Sequence, residues 1–261
     1  MDSPVTIAAP PSSSKARSRG GSTRLIVARQ DPKTRSISPV GVLRTSPAGF
    51  VFAYLQRVRD IPGFRPLLGF ADLTRHYRSK NLFPLFSQRI MNRRRPDYQQ
   101  YLNVLGLSAN SSELTILGRS GGRRAGDAIF LVPEPHVNEN GQTSATFFVH
   151  GLRHLSGHEA RISQLRIGEL LELRDNPENP ANPRALLVTG DGVELGWVPD
   201  LLLDYVHAVR NHNLADLHVA QINGADAPPN LRLRVEFSGF LAPGYQPFRG
   251  PDWEISPDRT M

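Results

Sequence analysis

From residue 24 onward the chain is built of short apolar runs separated by Pro, Ser and Gly. Leu25-Ile26-Val27, Val40-Gly41-Val42-Leu43 and Phe50-Val51-Phe52-Ala53-Tyr54 carry β-branched and aromatic side chains and predict a small antiparallel sheet. The period then changes. Leu82, Leu85, Phe86 and Ile90 fall at helical spacing, and Pro84 is acceptable in a first turn. Residues 96–105 and 111–117 predict two more short helices, with Ser111 or Ser112 capping the second. Ala128-Ile129-Phe130-Leu131-Val132 predicts a closing strand.

After a polar stretch at 136–142, containing Asn138-Glu139-Asn140-Gly141, the strand pattern resumes. Runs at 146–149, 169–173, 185–189, 193–198, 217–222 and 231–240 predict strands. In the last, Leu231, Leu233, Val235 and Phe237 alternate with Arg232, Arg234, Glu236 and Ser238, a strict period of two. Asp200 can cap a helix whose Leu202, Tyr205, Val206 and Val209 form one apolar stripe. Five or six strands plus one helix fit a small closed or partly open barrel. The fold class expected is therefore α+β: a small antiparallel sheet with short helices over residues 24–135, a linker at 136–142, and a small β-barrel with one helix over 143–242. Residues 1–23 are expected to be a disordered basic tail, because they cannot bury enough apolar surface to offset the entropy of ordering. Residues 243–261 form a Pro/Gly-rich extension whose Trp253 is available to dock back.

Composition narrows the chemistry. A chain of 261 residues with 39% apolar side chains suits two modest domains. No apolar run reaches the roughly 20 residues that span a bilayer, and the opening lacks a secretory h-region, so a cytoplasmic location without membrane contact is expected. The absence of cysteine excludes disulfides, thiolate metal sites and cysteine nucleophiles. The net charge of +7 is unevenly spread: residues 1–35 carry +5, residues 36–135 carry +8 and residues 136–261 carry −6. A basic footprint of this kind suits nucleic-acid phosphates and is concentrated in the first half.

Within that half, Arg89, Arg93, Arg94, Arg95, Arg123 and Arg124 make the densest basic set. They suit DNA phosphates, an acidic protein partner, or simply solvated helix ends and loops. Gly118-Arg119-Ser120-Gly121-Gly122-Arg123-Arg124 has the glycines of a phosphate-cradling loop but lacks the Gly-Lys-Ser/Thr ending, which favours a surface hairpin or loop. His150, His154 and His158 recur every four residues, yet β-prone flanks, Gly151 and Gly157 argue against one helix face and against a metal site. No nucleophile elbow or catalytic motif stands out. A non-enzymatic protein without cofactors is expected.

Four segments in order carry a family resemblance: Phe147-Phe148-Val149-His150-Gly151-Leu152-Arg153-His154; Gly168-Glu169-Leu170-Leu171-Glu172-Leu173-Arg174; Asn176-Pro177-Glu178-Asn179-Pro180-Ala181-Asn182-Pro183-Arg184-Ala185; and Gly196-Trp197-Val198-Pro199. Together they resemble a HIRAN domain. The resemblance implies an OB-like barrel, an accessory module beside DNA-repair helicases and in stand-alone proteins, that contacts DNA ends or single strands. Such a barrel needs flat side chains for stacking and donors for phosphate. Arg153, His154, Arg174, Arg184 and Trp197 are of those types, and Asn179 and Asn182 complete the implied binding set. The family's Tyr-Asp or His-Asp after the Asn-Pro step is here Ala181-Asn182, so a stacking ring is absent and an amide replaces a carboxylate acceptor. Trp197 can equally be core, and the 176–183 stretch a Pro-stiffened connection whose Asn side chains serve nearby backbone.

Residues 24–135 resemble the N-terminal subdomain of HipA-type toxin kinases and HipS-like proteins, through Val40-Gly41-Val42-Leu43, Phe50-Val51-Phe52-Ala53-Tyr54, Leu82-Phe83-Pro84-Leu85-Phe86, Leu105-Gly106-Leu107, Gly118 and Ala125-Gly126-Asp127-Ala128. Gln88 to Arg95 stands where that family has a Leu-Pro-Glu-Gly-like turn. No kinase core follows, so kinase activity is not expected; an antitoxin-like module docking on a separate HipA-type kinase is the alternative to DNA binding. A helicase or nuclease is the other protein partner the resemblances suggest.

Overall fold

The computed structural model describes residues 24–32, 36–124, 126–212 and 214–258; the expected basic tail lies outside them. The first half contains β1 (Arg24–Gln30), β2 (Ile37–Ser46), β3 (Gly49–Tyr54), β4 (Tyr77–Ser79), α1 (Pro84–Ser87), α2 (Tyr98–Leu105), α3 (Glu113–Ser120) and β5 (Ile129–Pro133). The strands form an antiparallel sheet in the order β4-β3-β2-β1-β5. Ser112 caps α3 by accepting from the Thr115 amide at 3.1 Å. The helical spacing at 82–90 yields only the four residues of α1, followed by tight turns.

The second half contains β6 (His136–Val137), β7 (Gln142–Phe148), α4 (His158–Gln164), β8 (Leu170–Asp175), β9 (Leu186–Gly190), β10 (Val193–Trp197), α5 (Leu203–Arg210), β11 (Asp216–Ile222) and β12 (Leu233–Phe240). These strands form a second antiparallel sheet in the order β10-β9-β8-β11-β12-β7-β6. The molecule is thus α+β, with two antiparallel sheets and few short helices. This half holds two α-helices where the pattern predicts one; α4 was hidden by its brevity and by Gly157 at its start. Asp200 opens a single 3-10 turn before α5 and makes no side-chain cap there.

Both faces of the first sheet are buried, which accounts for the unbroken apolar run in β1. Leu25 and Val27 join Phe52, Tyr54, Phe86, Leu114 and Leu117 beneath the helices. Ile26 and Ala28 point the other way, into a core shared with Val42, Phe130 and Val132 and with Val149, Leu171, Val206 and Val235 of the second half. Residues 241–258 return to the first sheet. The Gln56 amide donates to Glu254 O at 2.8 Å and the Ser256 amide to Tyr54 O at 2.9 Å, around a bridge between Leu55 and Ile255. The Trp253 ring is tilted against Phe248 with centroids 4.7 Å apart, beside the shared core. Among the described residues no helix is long and apolar enough to cross a membrane.

Candidate nucleic-acid interface

One pair of hydrogen bonds brings edge strand β10 back to the continuation of β7. The His150 amide donates to Trp197 O at 2.9 Å and the Trp197 amide to His150 O at 2.8 Å. Two glycines permit this approach. Gly196 has φ of 125°, and a Cβ there would lie 2.4 Å from His150 O; Gly151 has φ of 78°, and a Cβ there would lie 2.5 Å from the Trp197 ring. The second sheet therefore curls until its two sides meet at a single bridge, with Trp197 in it and Arg153 and His154 on the turn that follows Gly151.

Trp197 is held rather than loose. Its Nε1 donates to Asn176 Oδ1 at 3.0 Å, its ring covers Gly151, and the remaining part of the side chain is accessible. Leu187 of β9 faces Trp197 on one side and Arg174 on the other, so these three share one row and one face of the sheet. Arg153 and His154 lie exposed on a 3-10 turn immediately after Gly151, with Arg153 Nε donating to His154 Nε2 at 3.1 Å. Trp197 thus joins the 150–154 segment to the 176–184 loop, two stretches remote in sequence.

That loop satisfies itself. Asn179 Oδ1 accepts from the Ala181 and Asn182 amides at 2.9 and 3.2 Å, and Asn182 Oδ1 accepts from the Arg184 amide at 2.9 Å. The Asn182 side-chain oxygen is therefore already engaged, leaving chiefly N–H donors for a ligand. Asn182 also bonds Asp200, whose carboxyl burial pushes above the usual range. Arg174 pairs with Glu194 and Arg184 with Asp204, both at exposed positions where such pairs are weak and salt-screened.

The basic set divides in two. Arg89 is corrected from a phosphate contact to a structural residue: its side chain is 2% exposed and its donors turn inward, to Leu85 O, Gly122 O and both Asp127 carboxylate oxygens. Arg95 chelates Asp97 through two 2.8 Å bonds. Arg93 and Arg94 are exposed, and neither side chain forms an ion pair among the described residues. Arg124 donates to Gln88 Oε1 at 3.2 Å, and Arg123 lies 5.0 Å from the Phe130 ring centre. Gly118, Arg119 and Ser120 belong to α3, so the glycine-rich run is a helix end followed by a turn.

Two features are not legible in sequence. His150, there one of three evenly spaced histidines, is the pairing partner of Trp197; burial, and secondarily the Arg123 charge, depress its pKa to about 3. Arg123 packs its guanidinium over Phe130, which belongs to the same core cluster as Val149, the neighbour of His150. His150, His154 and His158 occupy three different elements rather than one helix face. Asn176 reads from sequence only as a loop residue, since its partner Trp197 is 21 positions away.

No protein-family description matches this chain, and no curated protein matches it. Two solved structures are similar to parts of it. One is a protein from Lactobacillus plantarum determined by a structural genomics consortium, with 16% identity and a TM-score of 0.32 over 39% of this chain and 99% of the other. The other is the HIRAN domain of human HLTF, with 19% identity and a TM-score of 0.30 over 40% of this chain and 83% of that one.

Proposed function

We propose that this protein is a non-enzymatic nucleic-acid-binding protein that contacts single strands or DNA ends beside the Trp197 bridge. The observation that carries the reading is the convergence there of a partly accessible indole and the exposed Arg153–His154 pair. A flat ring offers a stacking surface to any base, while guanidinium groups hold the backbone. The side-chain N–H groups of Asn179 add donors on the adjoining loop, and exposed Arg93 and Arg94 add longer-range attraction. The acidic balance of residues 136–261 leaves most of that attraction to the first half.

A salt titration of the intact chain against single-stranded, blunt and recessed DNA tests this. Binding is expected to prefer one end structure, and Trp197→Ala with Arg153→Ala is expected to weaken it at least tenfold. Binding that ignores end structure and is unmoved by both substitutions would overturn the reading.

A further inference from the structure

A second cluster of arginines lies on the opposite side of β12 from the core shared by the two sheets. Along β12 the buried Leu233, Val235 and Phe237 alternate with Arg234 and Glu236. Arg234 stands opposite Phe148 of β7 and Gln221 of β11, and the C-terminal end of α2 packs onto this face. Gln221 Nε2 donates to Asn103 O at 2.8 Å and Val104 O at 3.1 Å, and Asn223 Nδ2 donates to Val104 O at 2.8 Å. These amides already cap the helix end.

Arg119 of α3 and Arg234 then converge on the same turn. Arg119 Nη1 reaches Leu105 O at 3.5 Å. Arg234 Nε donates to Gln221 Oε1 at 3.1 Å, and its Nη2 lies so near Gly106 that an added Cβ would come within 2.7 Å of it. Both side chains are partly buried, and neither forms an ion pair among the described residues. Arg232, just before β12, shows the contrast: it is buried and chelates Glu159, with Nη2 2.5 Å from Oε2. Burial lowers the proton affinity of Arg119; burial followed by the Arg119 charge brings Arg234 to about 10. The opposing charges nearby are the partial charge of the α2 carbonyls, about half a unit, and Glu236, which is exposed and unpaired among the described residues. Two desolvated positive charges are left incompletely balanced.

We propose that Arg119 and Arg234 form a phosphate-binding site in the seam between α2–α3 and the outer face of the second sheet. Two guanidinium forks from different elements suit an anion with several charged oxygens, and a bound phosphate relieves their mutual repulsion. The phosphate comes either from a nucleic-acid backbone or from the free inorganic ion. Only the first source rests on the function proposed above.

The test uses the intact chain, its Arg119→Gln/Arg234→Gln double variant, and Glu236→Gln, which removes an exposed carboxylate without breaking an ion pair. Inorganic phosphate at constant ionic strength is expected to raise the melting temperature of the wild type over a chloride control, more strongly for Glu236→Gln, and not for the double variant. With oligothymidylate, the slope of log affinity against log salt is expected to fall in the double variant by about 0.7 for each phosphate it no longer neutralises, and Glu236→Gln to bind about twofold tighter. A phosphate response without a change in slope assigns the site to the free ion; the reverse assigns it to the polynucleotide. Identical responses of wild type and double variant to both probes overturn the site. Where the double variant does not fold, unchanged affinity of Glu236→Gln for both probes overturns it. A wild type that binds no oligonucleotide yet responds to phosphate retains the site and removes the nucleic-acid reading.

Discussion

His150 keeps its imidazole neutral because charging it would place a cation in a poorly hydrated position beside Arg123. An unfolded chain titrates the same ring near 6.5, so the unfolded state takes up more protons between that pH and about 3. Stability from this group is complete above pH 6.5 and declines below it, by up to about 1.4 kcal/mol per pH unit. Urea unfolding at pH 7.5, 6.5 and 5 is expected to show the wild type losing roughly 2 kcal/mol between the last two, a loss absent from His150→Gln. Parallel curves would mean that the ring is open to solvent. The arginines separate at the same scale. Arg89→Ala leaves Asp127 without its ion-pair partner and a buried Gly122 carbonyl without its donor, and is expected to cost about 3 kcal/mol while leaving affinity per folded molecule unchanged. Arg93→Ser with Arg94→Ser is expected to do the reverse, shifting stability by less than about 0.5 kcal/mol and weakening DNA binding. Chemical denaturation and a binding isotherm on each variant check both. In sequence the six arginines look alike; what separates Arg89 from Arg93 is Asp127, a partner 38 positions away.

Elements with a strong period were legible and those defined by a single contact were not. β12 alternates for its whole length, and the structure keeps that register with Leu233, Val235 and Phe237 inward. The run in β1 predicts a strand but not that both its faces are covered, since the second cover comes from the other half of the chain. α4 has seven residues and one fully buried side chain, Ile162, too little periodicity to distinguish it from a loop. The Trp197 bridge is a contact of one residue pair, so only its glycines hint at it. Gly151 occupies a left-handed conformation and lies under the indole. Gly151→Ala is expected to cost about 2 kcal/mol through strain and steric overlap and to free the indole. In a Trp253→Phe background, Trp197 emission is expected to shift to longer wavelength with a lower melting temperature. An unchanged spectrum would show that the bridge does not position the ring.

At the scale of the molecule, the shared core decides how the two sheets behave. Ile26, Ala28, Phe130 and Val132 of the first sheet pack into the same cluster as Val149, Leu171, Val206 and Val235 of the second, and the returning segment adds Tyr245, Phe248, Trp253 and Ile255. Neither sheet can open without exposing apolar surface of the other, so one cooperative transition is expected. Sequence suggested two units because the polar stretch at 136–142 interrupts the apolar pattern; periodicity marks which face of a strand is buried but not which part of the chain covers it. Trp253→Ala tests the coupling, because it removes an aromatic from the returning segment and leaves Trp197, in the second sheet, as the sole indole. Losing a partly buried ring of this size is expected to cost about 2 kcal/mol, which for a chain of this length lowers the melting temperature by roughly 4–8 °C. The Trp197 fluorescence and far-ultraviolet circular dichroism transitions are expected to move down together. If the Trp197 transition stays in place while part of the dichroism melts earlier, the first sheet unfolds by itself and the second keeps its curl without it.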